Sequence, residues 1–429
     1  MASTAIVWLR RDLRLHDHPA LHRAVRDHDR VVPVFVLDDR LLEGRFASAP
    51  RTAFMLGCLR ALGPALVVRH GRPEREIPAL AAELDADAVL WTSDVSPFAR
   101  RRDARVTQAL RAAGVEALPQ GGNYIADVGK IETKTGRPYT VFSPFHRTWR
   151  DLARRPVHRA VELEAGGVRS DGLPDEAGGE LAFAPGEPAA RKALAAWLAD
   201  GVDGYDGEGR TSELSPYLRW GCLSPRECEE RALRRGGDGA AAWVRQLCWR
   251  DFFAHVLLHD TPSKPNPSWE RDDGHLAAWQ EGRTGYPLVD AGMRQLAATG
   301  WMHNRARLVT GSFLTKDLHI DWRLGELHFE RLLLDAEPAQ NNGNWQWIAS
   351  VGVDPAPAFR RMFNPTLQAQ KFDPDGSYIR RWVSELDEVD DADVHDPPPL
   401  VRAACGYPEP IVDHAAERRR ALERYAAAT

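Results

Sequence analysis

The chain has 429 residues, 43% hydrophobic and 27% charged, with a formal net charge of -5. That balance describes a globular chain long enough for two or three domains, and it excludes a disordered chain, a membrane-spanning bundle and nucleic-acid binding by bulk charge. Cys58, Cys222, Cys228, Cys248 and Cys405 form no C-x-x-C pair, which argues against a disulfide framework and a cysteine-ligated metal centre and fits a reducing, cytoplasmic compartment.

The first 125 residues alternate short β-branched runs with helical patterns. Strands are predicted at 6–9, 31–37, 66–69, 88–91 and 115–118, and helices around 52–59 and 77–84. Such alternation predicts βαβ units and a parallel sheet. The start, Met1 to Trp8, runs at once into Arg10-Arg11-Asp12 and reads as a first strand rather than a signal peptide. No G-x-G-x-x-G follows it, so the dinucleotide fingerprint is missing. Arg100-Arg101-Arg102-Asp103-Ala104-Arg105 looks like a DNA-binding run, but on a helix its charges spread around the cylinder, which predicts a solvated face.

Residues 150–190 shift to Gly, Pro, Glu and Ala, as in Glu164-Ala165-Gly166-Gly167 and Glu176-Ala177-Gly178-Gly179, and read as a connector. From about Glu187 the pattern is helical, with a loop at Gly201 to Gly209 and turn signals at Pro216, Pro225, Gly236-Gly237, Pro262 to Pro267, Gly285 and Pro338. The predicted fold is α/β plus all-α: a Rossmann-like parallel-sheet domain over 1–130, a long linker over 131–190 and a helical domain over 191–429.

Ten of the 14 tryptophans follow residue 200. The densest stretch is Asn341-Asn342-Gly343-Asn344-Trp345-Gln346-Trp347, where amides and indoles together suit a flat heterocycle such as a flavin or a nucleobase. Ahead of it, Tyr205 and Arg210-Thr211-Ser212-Glu213-Leu214-Ser215 place hydroxyls before a helical run, either as a diphosphate site or as a plain helix cap by Thr211 or Ser212. Positions 243, 246, 249/250 and 253 share a helical face, a stripe of Trp243, Gln246, Trp249 and Arg250 that suggests a ligand wall. Trp301, Asn304 and Arg307 or Leu308 repeat the pattern, while His303 reads as a hydrogen-bonded histidine rather than a metal ligand. Asp335-Ala336-Glu337 supplies carboxylates just before the Trp-Gln-Trp element.

These segments, in this order, resemble the photolyase and cryptochrome family, and within it the microbial class I cyclobutane-dimer photolyases. The motifs that carry the resemblance are Val7 to Arg14, Ala278 to Pro287, Gly300 to Arg305, Asn341 to Trp347 and Tyr407 to His414. It implies an FAD, active as FADH-, folded within the helical domain. Tyr205, Thr211, Ser212, Leu214 and Ser215 would hold its phosphates and ribityl chain, with Glu213 beside them. Trp243, Gln246, Arg250, Trp301, Asn304, Arg307, Asp335, Ala336, Glu337 and Asn341 would border the rest, with Asn341 at flavin N5 and Asp335 paired with Arg307. Gln246, Trp249, Asn304, Arg305, Gln346, Trp347 and Arg360 would meet UV-damaged DNA and a flipped-out dimer. Gln246, Trp249, Asn341 and Trp347 would act in catalysis, and Trp345, Trp322 and Trp269 would form the electron-transfer chain.

Three positions depart from the family pattern. Gln246 stands where cyclobutane enzymes commonly carry Glu, and it hydrogen-bonds a pyrimidine without offering an acid proton. Glu337 replaces a commoner Asp, and Glu213 a frequent Arg or Gly. Gln246 is shared with the (6-4) photolyases, but those enzymes have histidines where this chain has Asn304 and Leu308. Arg51 and Asp94, with Phe98 and Ala99, resemble the binding pattern of an 8-hydroxy-5-deazaflavin antenna rather than that of methenyltetrahydrofolate. The competing reading is a cryptochrome-like blue-light receptor without repair activity; the short reach from His414 to Thr429 and the retention of Trp249, Arg305 and Trp347 favour repair. A monomer without membrane contact is expected.

Overall fold

The computed structural model describes residues 2–164, 167–175, 181–206, 209–261 and 264–428. Ala165, Gly166 and residues 176–180 of the predicted connector, Gly207 and Glu208 of the predicted loop, and Pro262 and Ser263 of the predicted turn lie outside the described residues. Five strands, β1 Thr4–Leu9, β2 Arg30–Leu37, β3 Val67–His70, β4 Ala88–Thr92 and β5 Glu116–Gln120, form one parallel sheet in the order β3-β2-β1-β4-β5. The predicted strands and parallel sheet are therefore present. β1 is buried along its whole length because it is central and covered on both faces, which is why it reads as a continuous apolar run. Pro33 is tolerated inside β2 because it pairs only with Val7; the register to β3 begins one residue later, at Val34. Helices α1 Pro19–Asp27, α2 Asp39–Leu42, α3 Ala49–Ala61, α4 Pro73–Glu83 and α5 Pro97–Ala112 make the crossovers.

By packing, the chain forms two compact units, Met1–Asp260 with Leu334–Ala339, and Thr261–Leu333 with Gln340–Thr429. Unit 1 adds to the sheet α6 Phe142–Asp151, α7 Glu187–Ala196, α8 Ser215–Trp220, α9 Pro225–Arg235 and α10 Asp238–Leu258. The hub of its helical part is Asp251 on α10, which is fully buried and accepts from the amides of Ile125 (3.3 Å) and Ala126 (3.0 Å) and from Trp149 Nε1 (2.9 Å). Burial pushes its carboxyl up to about 6, against the pull of those donors.

Unit 2 contains α11 Asp273–Glu281, α12 Pro287–Thr299, α13 Asn304–Ser312, α14 Trp322–Leu332, most of α15 Pro338–Ile348, α16 Pro365–Phe372, α17 Ser377–Trp382, α18 Pro399–Cys405 and α19 His414–Ala427. Its described residues form no strand, as the helical pattern predicts. Pro216, Pro225 and Pro338 are first-turn prolines of α8, α9 and α15, positions where a missing N–H costs nothing. π-helical turns at Trp197–Gly201 and Phe313–Asp317, which the sequence did not suggest, extend α7 and α13.

Candidate functional site

In unit 1 the strand order reverses between β1 and β4, so the loops after these strands border the crevice that α/β sheets offer to ligands. Here the chain fills it with its own charges. Arg11 bonds Glu337 at 2.9 Å and Asp94 at 2.8 Å. Burial alone would raise Asp94, but Arg11 holds it well below the usual carboxylate range. Arg10 pairs with Asp103 at 2.6 Å, and Arg102 joins that carboxylate at 3.0 Å while lying 4.7 Å over the Trp8 ring. The expected solvated face of the Arg100–Arg105 run is thus corrected at Arg102, which is buried because Trp8 and Asp103 receive it. Burial, helped by Arg10, lowers its guanidinium to about 10. Of the two residues proposed for an antenna, Arg51 donates to the Phe46 carbonyl and Asp94 to none but accepts from Arg11 and from the Ser96 amide.

The hydroxyl-rich segment leads into α8, whose N-cap is Leu214 without a side-chain cap bond. Neither Thr211 nor Ser212 caps the helix; Ser212 Oγ accepts from the Leu214 amide at 3.5 Å. Glu213 is exposed with φ +53, and Ser215 is exposed at the first helical position. Tyr205 sits edge-on to Trp197 at 5.6 Å, and burial lifts its hydroxyl to about 12.

On α10 the predicted ligand stripe separates into different environments. Trp243 is buried edge-on to Trp197 at 6.1 Å. Trp249 stacks flat on Phe142, centroids 3.7 Å apart and planes 6° apart. Arg250 donates to the carbonyls of Asn123 and Leu218 and lies over Tyr124 at 4.9 Å. Gln246 is exposed. In the short segment Leu334–Ala339, Glu337 takes Arg11 and the Tyr124 hydroxyl (3.4 Å), and the Ala336 carbonyl takes Arg219; Asp335 is buried.

In unit 2 the Asn341 to Trp347 stretch is helical throughout, lying within α15. Residues four apart share a face, so Asn341 and Trp345 turn inward together, while Gln346 Nε2 donates a hydrogen bond to Asn342 Oδ1 at 2.6 Å. Asn341 Nδ2 donates to the Glu326 carbonyl at 3.0 Å and to Glu330 Oε2 at 3.2 Å. Two acceptors on one atom identify it as the amide nitrogen, and both its hydrogens are used, leaving Oδ1 as the acceptor. Trp345 is 3% exposed and edge-on to Phe329 (5.0 Å) and Trp279 (6.2 Å). It fits only because residue 325 is glycine: a Cβ there would lie 2.2 Å from Trp345 Cη2.

Trp347 is half-buried. Its Nε1 donates to Asp354 at 3.1 Å, and Arg361 lies 4.0 Å over its ring while bonding Asp354 (2.6 Å) and the Trp347 carbonyl (3.0 Å). Trp322 is 5% exposed with its indole N–H on Asn266 at 3.1 Å, and Trp269 is half-buried, so the three proposed electron carriers run from deep burial at Trp345 to solvent access at Trp269. Arg305 lies over Phe372 at 4.0 Å, and Asn304 and Arg360 are exposed.

The Trp301, Asn304, Arg307 stripe needs correction. Trp301 precedes the helix, because Gly300 ends α12 in a left-handed turn and His303 Nδ1 accepts the Arg305 amide as the N-cap of α13. His303 is hydrogen-bonded as expected, and Arg307 Nε donates to the Met302 carbonyl at 2.8 Å. Residues that sequence reasoning missed are Arg11, Asp251, Arg361, Glu330 and Gly325; only Gly325, a glycine inside a helical run, carried a visible signal.

A parallel-sheet domain is followed by helices rich in buried tryptophan and oriented amides, the class of two-part protein whose helical part suits a flat heterocyclic cofactor. Comparison with known proteins makes this specific. The model for DNA photolyase matches residues 5–162, and that for the FAD binding domain of DNA photolyase matches residues 243–427. The chain belongs to the DNA photolyase family. The deoxyribodipyrimidine photo-lyase of Streptomyces griseus is 42% identical, with 97% of this chain and 98% of that protein covered. A bacterial class III photolyase from Agrobacterium tumefaciens shares the fold at a TM-score of 0.89 and 34% identity, covering 100% and 98% of the two chains. The Synechocystis cryptochrome matches at a TM-score of 0.86 and 29% identity, over 98% and 99%. No helix among the described residues is long and apolar enough to cross a membrane. Within unit 2, Asn341 Oδ1 is a fixed acceptor of the kind a flavin ring N–H needs; within unit 1, the hydroxyls of Tyr205, Thr211, Ser212 and Ser215 are of the kind that suit phosphate and ribityl oxygens.

Proposed function

We propose that this chain repairs cyclobutane pyrimidine dimers in DNA under blue or near-UV light. Fully reduced FAD, when bound, supplies an excited-state electron that splits the dimer and is then recovered. The residues of the chain bind and orient. Tyr205, Thr211, Ser212, Leu214 and Ser215 hold the phosphates and ribityl chain, and Asn341 accepts from the flavin ring. Trp249 and Trp347 offer apolar faces to the flipped dimer, Gln246, Asn304 and Gln346 hydrogen-bond it, and Arg305 and Arg360 hold neighbouring phosphates. Trp345, Trp322 and Trp269 carry electrons inward to reduce oxidised cofactor. In this reading residues 1–130 form the antenna domain, with Arg51 and Asp94 toward a deazaflavin, residues 131–190 the linker, and residues 191–429 the FAD and lesion domain.

The observation that carries the reading is α15, where a buried indole, an orientationally fixed amide and a half-buried indole clamped by Arg361 fall within seven residues. The likeness to the Synechocystis cryptochrome supports a second reading, a light receptor without repair, and Gln246 supports a third, repair of (6-4) products. Reduced protein should be incubated with oligonucleotides carrying either a thymine cyclobutane dimer or a (6-4) product, lit and dark. Light-dependent loss of the cyclobutane dimer alone is expected. Loss of the (6-4) product shifts the substrate, and no repair of either by flavin-loaded protein leaves the receptor.

A further inference from the structure

Cys58 and Cys222 are 164 positions apart, yet their Sγ atoms lie 3.4 Å from each other within unit 1. Both are fully buried, at 0% and 1% exposure. A disulfide has S–S of about 2.05 Å, so only a small rotation or shift separates the thiol pair from the bonded geometry.

The backbones on both sides are held in place. Cys58 lies on α3, whose Gly57 packs so tightly on Pro185 that a Cβ would come within 2.4 Å of Pro185 Cγ. The Gly186 amide donates to Cys58 Sγ at 3.3 Å. Cys222 follows Gly221, which has φ +68 and no space for a side chain, since a Cβ would lie 2.2 Å from the Arg11 carbonyl. Leu13 donates to the Trp220 carbonyl at 3.0 Å and Arg14 to the Gly221 carbonyl at 2.9 Å, fixing that turn. The sulfurs therefore meet because two anchored segments bring them together.

We propose that Cys58 and Cys222 are a redox-modification site, oxidised by a peroxide to a disulfide that staples α3 to the turn between α8 and α9. One thiolate sulfur attacks a peroxide oxygen and breaks the O–O bond; with hydrogen peroxide this gives a sulfenic acid, and the expelled hydroxide takes up the thiol's proton as water. The second sulfur then displaces the sulfenic oxygen, which leaves as a second water, and the S–S bond forms. Two thiols are oxidised and one peroxide is reduced. Burial, with Cys222 adding to it, holds the Cys58 thiol well above the usual range, so the reaction runs through local opening and is slow in the closed protein. Cys228 and Cys248 are buried as well, while Cys405 is half-buried, and the three serve as internal controls.

The test uses the full chain exposed to hydrogen peroxide, with remaining thiols alkylated and the digest read by mass spectrometry without reduction. The expected product is a Cys58–Cys222 peptide pair lighter by two hydrogens, formed on most molecules and reversed by dithiothreitol. The melting temperature should rise by several degrees on linking, and this rise should vanish in Cys222→Ala. Recovery of Cys58 and Cys222 as free thiols, or as separate sulfinic acids, at doses that oxidise Cys405 would overturn the proposal. So would a linkage to any other cysteine. The mapping on the native chain decides the matter even if a cysteine variant folds poorly.

Discussion

Along α10, Arg250 is taken by the Asn123 and Leu218 carbonyls, Asp251 by two backbone amides and the Trp149 indole, and one face of Trp249 by Phe142, while Gln246 stays exposed. In α15 the same residue types are held from behind, Asn341 by Glu326 and Glu330, Trp347 by Asp354 and Arg361, so that Asn341 Oδ1 and part of the Trp347 ring are left over. The two helices are equally suggestive as sequence. What separates a ligand surface from an internal scaffold is which atoms remain after the protein's own hydrogen bonds are made.

The sharpest way to break this contrast is at Trp345. Trp345→Phe should keep the fold and the flavin but abolish light-driven reduction of oxidised flavin, while enzyme reduced chemically beforehand still repairs dimers. Absorbance during illumination, alongside the repair assay, reads both; equal loss of both activities would remove Trp345 from the electron path. The mirror experiment on α10 is Asp251→Asn, which leaves one acceptor for three buried donors and should cost about 3 kcal/mol or more of stability.

Asp251 also has a pH signature. Its folded-state value, about 6, lies above its ordinary 3.8. The native state therefore holds the proton more tightly, and the associated stability is fully present below pH 3.8 and lost as pH rises through 6. Relative to Asp251→Asn, the native chain should be more stable at pH 4 than at pH 7 by up to ~3 kcal/mol. Urea melts of the two proteins at both pH values measure the difference, and a gap that is constant or widens toward pH 7 would contradict it.

Packing gives the next largest effect. Gly325→Ala places a methyl 2.2 Å from Trp345 Cη2 and should lower stability by about 1–3 kcal/mol, since the indole is closed in by Phe329 and Trp279. A calorimetric melt reads it. An unchanged melting temperature would mean that Trp345 has room to move, and that its burial is looser than its contacts imply.

The sheet was legible because its central strands β1, β2 and β4, covered on both faces, must be largely apolar, and all five strands fall within about two residues of the predicted runs. α15 was legible as a site because few core helices combine two indoles with five amides. The rest was hidden for physical reasons. Arg11 meets Glu337 across 326 positions, a contact no local pattern encodes. Arg360 and Arg361 are neighbours of one type, and only the fold buries the second under Asp354 and Trp347. The spacing of Trp301 and Asn304 was helical, yet the left-handed Gly300 and the His303 cap place a boundary between them. Arg102 looked solvated because a helical wheel does not show that Trp8 stands ready to receive it.

Arg361 tests whether the α15 surface is positioned from behind. Arg361→Lys keeps the charge but cannot at once bond Asp354 and the Trp347 carbonyl and cover the ring, a loss worth about 1–2 kcal/mol. Dimer-containing DNA should bind roughly ten-fold more weakly, because that energy orients Trp347, while flavin content is unchanged. Fluorescence anisotropy with damaged and undamaged duplexes checks it; a parallel loss of flavin would assign Arg361 to the fold instead.

Glu330 is the finest test of the same idea. It fixes the Asn341 amide only together with the Glu326 carbonyl, which remains in any variant, so Glu330→Leu should leave flavin binding and melting temperature nearly unchanged. With one acceptor gone the amide is free to turn, and Oδ1 then meets the ring N–H for a smaller fraction of the time. A neutral Gln at 330 restores an acceptor without the charge. Glu330→Leu should therefore shift the flavin midpoint potential and speed its reoxidation in air by a few-fold, with Glu330→Gln falling close to the native chain. If Leu and Gln behaved alike, charge rather than amide orientation would be the influence of Glu330. If neither differed from the native chain, the Glu326 carbonyl alone would suffice to hold Asn341, and the second donor–acceptor pair would be incidental to α15.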